Sequence, residues 1–359
     1  VPSSGVVEAE DVDDIRVAWV NQGASTEDPW TLAQFQARDR VERIFAGRVT
    51  TTFVEKVELG PHAAATIDRL VRAGHELVIA TSAPLEADVL HAASRHPLVA
   101  FEQARGAVTT SNVSTYTGAH EESAYLTGLA AGALSDSGRV AYVAPAFEAE
   151  TLRILNGFAL GVGATRPGSV VLVAWTDVWW DPPAERRAAE LLVASGADVI
   201  ATGCTSTATG ELAQELDLPW CAQDADLSGQ FGDVWVTAPR ILPGGHYCRR
   251  VSDRLTGVWH SEAHVGGLAD GFTDIAPLGL RVPADVRRGV MDTRARILAG
   301  HRIPDLGVPF GPAPPARPGI DGDVERWSAR THASNVEVVL PPTPEPPVAP
   351  PVGPTGAGR

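Results

Sequence analysis

The chain has 359 residues, a formal net charge of −15 at pH 7, 44% hydrophobic residues and 20% charged residues. That length exceeds what one compact core accommodates and predicts two lobes with tails, and the composition is that of a globular protein. The acidic balance argues against nucleic-acid binding, which depends on basic patches, and no apolar run is long enough for a transmembrane segment.

Short apolar runs alternate with amphipathic stretches of helical spacing over most of the chain. This alternation is typical of βαβ units, whose strands form parallel sheets. The predicted strands cover residues 15–20, 50–57, 76–81, 99–104, 139–144, 170–176 and 198–203, and the predicted helices cover residues 30–45, 61–73, 84–94, 120–134, 182–195 and 207–216, with a further helix ending near residue 162.

An apparent crossover at residues 112–116 divides this pattern into two doubly wound lobes. We expect lobe I to comprise residues 15–117 and about 236–263, and lobe II to comprise residues 118–235 and about 264–312. Ligands of such folds bind at the carboxyl ends of the strands, which places the site in the cleft between the lobes.

The two ends of the chain differ from the rest in composition. Residues 1–14 are small and acidic, and we expect a solvated lead-in. Residues 313–359 are rich in Pro and Gly, which predicts a largely disordered tail or a linker to another module.

The sequence carries no catalytic motif such as G-x-S-x-G, a P-loop or H-E-x-x-H. The glycines of residues 157–163 lie in a helical stretch instead of following a strand, which argues against a dinucleotide site. His260 and His264 have the spacing of a metal pair on a helix, but the glycines around them argue against a helix there. The three cysteines show no metal spacing. We therefore expect no enzyme, no cofactor and no bound metal.

Tryptophans and polar residues follow several of the predicted strands. Trp30 comes after the first strand, and Trp179 and Trp180 come after the strand at 170–176. Two aromatic rings that face one cleft can hold a flat ligand ring, each stack contributing about 1–3 kcal/mol. Structural roles stay open: Trp175 lies inside an apolar strand, and Asp181 is placed to cap the next helix. The pattern favours a small-molecule receptor over an enzyme.

One long segment, VVLVAWTDVWWDPPAERRAAELLVASGADVIATG, carries a family pattern of W-x-x-x-W-x-D-P followed by an Arg/Glu/Ala-rich helix and G-A-D-V-I. The shorter segments NVSTY, EESAYLTGLAAGAL, LNGFALG, GVW, GGLADG and GVPFGP occur in the family's order. From about Ile15 to Pro312 the chain therefore resembles the basic membrane protein family of ABC-transporter solute-binding proteins, which includes the purine nucleoside receptors.

The resemblance implies a type I periplasmic-binding-protein fold that closes on its ligand by a hinge motion. It also implies a purine base or nucleoside held between two aromatic rings, whose positions match Trp30 and Trp179. Polar residues at matching or neighbouring positions complete the expected site. The candidate ligand-binding residues are Trp30, Trp179, Asp226, Asp224, Thr205, Ser206, Ser82 and Glu27.

Several positions depart from the family pattern, and Pro243, Gly244 and Gly245 replace a more polar segment. Pro29 stands where the family has Gly, Thr205 where relatives carry Asp, and Val265 where the family has Trp. An aspartate at position 205 would offer a charged acceptor worth about 1.5–3 kcal/mol. We therefore expect altered polar selectivity, with an intact aromatic clamp.

The resulting expectation is a solute-binding protein that delivers its purine ligand to an ABC permease complex, with no nucleic-acid partner. The alternatives are a solitary ligand-sensing domain of the same fold without a transporter, and a degenerate binding protein that holds no small ligand. The resemblance implies an extracytoplasmic, membrane-associated location. A cytoplasmic location stays open because no signal peptide or lipobox is visible.

Overall fold

The computed structural model describes residues 14–301, residue 303 and residues 335–339. The expected acidic lead-in and Pro-rich tail lie outside the described residues, except for Asp14 and residues 335–339. Two six-stranded sheets with helices on both faces form two lobes. This arrangement confirms the expected α/β class with two doubly wound lobes.

Every strand pair within the two large sheets is parallel. In the first strand, Val17 and Trp19 pack into one core, whereas Ala18 and Val20 pack into another on the opposite face. Parallel sheets are buried on both faces, which is why their strands are continuous apolar runs. The described strands are β1 (Ile15–Val20), β2 (Val49–Val54), β3 (Leu77–Ala80), β4 (Ala100–Ala104), β5 (Val113–Gly118), β6 (Arg139–Ala144), β7 (Val170–Trp175), β8 (Val199–Thr202), β9 (Trp220–Cys221), β10 (Trp235–Thr237), β11 (Pro239–Ile241), β12 (Ala263–Gly266), β13 (Thr273–Ile275) and β14 (Val336–Val338).

The helices begin and end within a few residues of the predicted bounds. Within the described residues, no helix combines the length and apolar character needed to cross a bilayer. The described helices are α1 (Pro29–Ile44), α2 (Pro61–Arg72), α3 (Glu86–Arg95), α4 (His120–Leu134), α5 (Ala149–Thr165), α6 (Pro182–Ala194), α7 (Ala208–Leu216), α8 (Ser228–Phe231), α9 (Gly244–Leu255) and α10 (Ala284–Leu298), with a short 3₁₀ turn at Ala83–Leu85.

The sheet order explains where the lobes meet. The first sheet has the order β12-β5-β4-β3-β1-β2 and the second has the order β10-β9-β8-β6-β7-β14. The chain leaves the first sheet at β5 and enters α4, which packs in the core of the second lobe. It returns after β10, because Tyr247 and Val251 of α9 pack in the first lobe's core. The carboxyl ends of both sheets thus border the crossing segments.

Two details differ from the expected lobe boundaries. β12 lies wholly in the first sheet, beside β5, although the expected boundary at residue 263 passes through it. β14 comes from the expected tail and pairs with β7, with Val336 beside Val171. Within the tail expected to be largely disordered, residues 335–339 thus include a strand. The short V-E-V-V run supplies β-branched residues that suit the open edge of β7.

Helices α4 and α5 pack against each other through glycines. A methyl group on Gly161 would overlap the carbonyl oxygen of Tyr125, and one on Gly128 would overlap that of Phe158. Backbone therefore meets backbone at this contact, and any side chain would force the helices apart.

We expect Gly161→Ala to lower the free energy of unfolding by about 2 kcal/mol, because overpacking this contact outweighs the better helix propensity of Ala. The matched control is Gly289→Ala in α10, where an added methyl group meets nothing within 4 Å. That control should leave stability unchanged or raise it by up to about 1 kcal/mol. Urea denaturation followed by circular dichroism measures both changes. Equal midpoints for the two variants would contradict the close helix contact.

Candidate functional site

Left-handed backbone marks the strand ends that border the cleft. Arg105 follows β4, Asp177 follows β7 and Asp224 follows β9, with φ values of 53°, 69° and 61°. Non-glycine residues adopt this conformation rarely, at a cost of order 1 kcal/mol, and they concentrate at binding and active sites. The three loops therefore share a backbone conformation that is typical of binding sites.

The two tryptophans predicted to clamp the ligand converge on one group. Trp30 lies in the first turn of α1, and its indole Nε1 donates to the carbonyl of Thr81 at 3.0 Å. Trp179 lies in the loop between β7 and α6. The guanidinium carbon of Arg105 lies 4.8 Å from the ring centroid of Trp30 and 5.5 Å from that of Trp179. One tryptophan belongs to each lobe, so both rings border the cleft.

Asp28 positions the first ring. Its carboxylate caps α1 by accepting from the backbone N–H groups of Trp30 at 3.2 Å and Thr31 at 3.1 Å. It also accepts from the Thr31 hydroxyl at 2.6 Å. The cap holds the first turn of the helix, and with it the indole, at the edge of the cleft.

Thr205 and Ser206 form hydrogen bonds that support the loop carrying Trp179. Both the N–H and the hydroxyl of Thr205 donate to the carbonyl of Trp179, each at 3.1 Å. The Ser206 hydroxyl donates to Glu185 at 2.6 Å, and Glu185 accepts from the N–H of Asp181 at 3.0 Å. The loop after β8 is thereby tied to the loop that carries Trp179.

Trp175 and Trp180, the other tryptophans near that loop, differ in exposure. Trp175 ends β7 half-buried, with its ring 5.1 Å from that of Phe147. Trp180 is 60% exposed. Asp181 caps α6 by accepting from the N–H of Ala184 at 3.0 Å, in agreement with the capping role expected from sequence.

Three predicted polar residues have other partners in the structure. Glu27 forms an exposed ion pair with Lys56 at 2.8 Å, and the acid that contacts the backbone of Trp30 is Asp28. Asp226 is exposed and accepts from the N–H of Ser228 at 3.1 Å. Ser82 is buried, and its carbonyl accepts from Gln103 at 2.8 Å.

Asp224 is the predicted acid that the structure places in the interior of the cleft. Burial, with the charges of Asp28 and Glu150, raises the pKa of its carboxyl to about 7, although a hydrogen bond from Gln223 and the charge of Arg105 lower it in part. That bond, from Gln223 Nε2 to Asp224 Oδ1, is 2.7 Å long. A carboxyl with this pKa is partly protonated near neutrality, so it can donate or accept.

Sequence reasoning missed the charged residues that join the lobes. Arg105 Nη1 donates to Glu150 Oε2 at 2.7 Å, and His120 Nε2 lies 4.0 Å from Glu150 Oε1. Burial raises the pKa of Glu150, but the charges of Arg105 and His120 outweigh it and hold that pKa below its ordinary value. Burial lowers the pKa of His120. The available signal was position, because Arg105 directly follows a buried strand.

Two parallel-sheet lobes, with aromatic and charged side chains collected in the cleft between them, define a small-molecule binding protein of the periplasmic-binding-protein type I class. Three comparisons with known proteins agree. A family model described as "ABC transporter substrate-binding protein PnrA-like" matches residues 15–223. A purine-binding protein of Brucella abortus is 31% identical over 82% of this chain and 83% of its own length. The chain belongs to this Bmp family of substrate-binding proteins.

Other relatives extend the comparison. A protein of Haloferax volcanii named as a putative ABC transporter glucose-binding protein is 27% identical over 79% of this chain and 72% of its own length. Among solved structures, a solute-binding protein of Conexibacter woesei superposes with a TM-score of 0.68 at 20% identity, covering 81% of this chain and 98% of its own. A solute-binding protein of Aeropyrum pernix gives 0.67 at 15% identity, with 80% and 92% coverage. These structures share the fold.

We expect Asp224→Asn to gain stability relative to the unsubstituted protein as pH rises. The folded-state pKa of Asp224, about 7, lies above the ordinary value of 3.8. The folded protein therefore keeps a proton that the unfolded chain loses, and stability falls between those two pH values. The substitution removes that loss, on the order of a few kcal/mol. Urea titrations at several pH values measure the difference.

Asp226→Asn, which removes an exposed acid two positions further on, is the control for loss of a carboxylate from this loop. A stability difference between Asp224→Asn and the unsubstituted protein that stays constant from pH 4 to pH 7 would overturn the assignment of a buried, protonated Asp224.

Proposed function

We propose that this chain captures a purine base or nucleoside in the cleft, between Trp30 and Trp179, and delivers it to an ABC importer without chemically changing it. The carrying observation is the convergence of the two indoles, one from each lobe, on a single flat group. The purine named for the Brucella abortus relative supports the choice of ligand. Delivery to a permease on the outer side of the membrane follows from the family's role.

The cleft has the chemistry that a purine requires. Two indole faces remove both faces of a flat ring from water, each stack contributing about 1–3 kcal/mol. Asp28, Glu150 and Asp224 offer carboxyl oxygens to exocyclic amines and ring N–H groups. A partly protonated Asp224 can also donate to a ring nitrogen or carbonyl, so it can pair with either a donor or an acceptor group of a purine.

Closure of the two lobes would complete the site. Trp30 and Asp28 belong to the first lobe, and Trp179, Glu150 and Asp224 belong to the second. A ligand that stacks on both rings bridges the lobes and shifts the equilibrium toward the closed form. The loop supports around Trp179, through Thr205 and Asp181, keep that ring rigid, which limits the entropy lost on binding.

We expect Trp179→Ala to weaken binding of guanosine and adenine by at least about tenfold, because one stacking face is lost. Trp180→Ala is the matched control in the same loop, since that ring is 60% exposed, and should change affinity by less than about twofold. Isothermal titration calorimetry with both purines, and with glucose as the contrasting ligand, measures the affinities.

Binding of glucose in preference to every purine tested would contradict the proposed ligand class. Equal affinities for Trp179→Ala and Trp180→Ala would contradict the clamp. Trp175→Ala separates stability from binding: its ring packs on Phe147, so its loss should lower the unfolding midpoint while the folded fraction keeps its affinity.

A further inference from the structure

We propose that Arg105 is a built-in competitor for the ligand: its guanidinium occupies the position between Trp30 and Trp179 that the ligand's flat ring takes on binding. The inference about competition rests on the proposed function. The structural part, a latch that holds the lobes together, stands on the contacts of Arg105 alone.

The guanidinium resembles a small flat ring in the contacts that it makes. It is planar and delocalised, and it stacks on aromatic faces as well as attracting their negative π-systems. The Arg105 guanidinium contacts both indoles, at 4.8 Å and 5.5 Å from their centroids. A purine stacked on the same two faces would overlap it, so the two cannot be bound there together.

The same side chain joins the two lobes. Arg105 follows β4 of the first sheet, and Glu150 lies in the first turn of α5 in the second lobe. Their side chains are 22% and 10% exposed, so the 2.7 Å ion pair between them is largely removed from water. Such a pair costs far more to break by removing one partner than an exposed pair does. Because Arg105 and Glu150 belong to different lobes, this pair forms only while the lobes lie together, and it therefore links them in this arrangement.

The backbone at Arg105 fixes the direction of the side chain. The left-handed φ of 53° is unusual for arginine, and the next residue, Gly106, has no room for a Cβ beside Gln103 and Thr115. The carbonyl of Tyr116 accepts from the Arg105 N–H at 2.7 Å. This unusual turn after β4 directs the Arg105 side chain into the cleft.

Displacement of Arg105 favours ligands that can donate a hydrogen bond to Glu150. Glu150 is buried, and without Arg105 it loses its closest hydrogen-bond donor, while the His120 imidazole, whose pKa is lowered by burial, stays 4.0 Å away. A ligand that supplies an N–H group at this position replaces the lost donor, whereas one without N–H groups leaves the carboxylate unsatisfied. The competition therefore selects flat heterocycles with an N–H-bearing edge, such as guanine and adenine, over fully N-methylated purines such as caffeine.

Arg105→Ala tests the latch and the competition separately. Small-angle X-ray scattering of the ligand-free protein should show a larger radius of gyration for the variant, because the ion pair between the lobes is gone. Calorimetry should show that the variant binds guanosine about tenfold more tightly, because the guanidinium no longer has to be displaced. Selection against caffeine should persist in this variant, because caffeine still offers no N–H group to Glu150.

Two further variants keep the test interpretable. Arg38→Ala is the matched control, because Arg38 also lies over an aromatic ring, 4.7 Å from the Phe35 centroid, and pairs with Glu42, but on α1 in the first lobe. It should change neither the radius of gyration nor the affinity. Arg105→Ala/Glu150→Gln removes the unpaired buried carboxylate, so it should fold even where the single variant is unstable, and it should show the same expansion.

The outcomes distinguish this inference from the proposed function. Expansion of the Arg105 variants without purine binding by any form of the protein supports the latch and contradicts the proposed ligand. Purine binding that is unchanged or weaker in both Arg105 variants, with an unchanged radius of gyration, overturns the latch and leaves the proposed function standing.

Discussion

Parallel strand pairing is the constraint from which the cleft follows. Each large sheet has all its strands running the same way, so every loop at the carboxyl edge of a sheet lies on one side of its lobe. The crossings after β5 and β10 bring these two edges face to face. Trp30, Arg105, Trp179 and Asp224 come from distant parts of the chain, yet all follow strands, and that shared position is what gathers them.

The cleft contains several charged side chains that are largely buried and interact with one another. Arg105 and Glu150 pair across it, His120 stands beside Glu150, and Asp224 lies within range of Asp28 and Glu150. Removing one charge changes the proton affinity of the others, because screening between them is weak. In the proposed function, the aromatic faces position the ligand ring, and these charges select the polar groups on its edge.

Much of the fold could be predicted from sequence because burial on both faces produces continuous apolar strands, as in VVLVAWT and DVIATG. Trp30 and Trp179 were predicted because they follow strands and match a family pattern, and the structure brings both rings near Arg105. The contact between Asp28 and Trp30 was not visible in the sequence, because neighbouring residues point in different directions and Asp28, not Glu27, caps the helix. Arg105 was missed because its role depends on a ring from the opposite lobe, which no local pattern contains. β14 was hidden within a Pro-rich composition that otherwise indicates an unstructured chain.

Because the pKa of Asp224 is raised to about 7, the proposed capture of a heterocycle would be coupled to the binding or release of a proton. A bound heterocycle that donates to the ionised carboxylate expels a proton, and its apparent affinity then rises with pH. A heterocycle that accepts from the protonated carboxyl takes one up, and its affinity falls over the same range. The two edges of a single purine could thus be favoured under different conditions, and the heat of binding would depend on which buffer receives or supplies the proton.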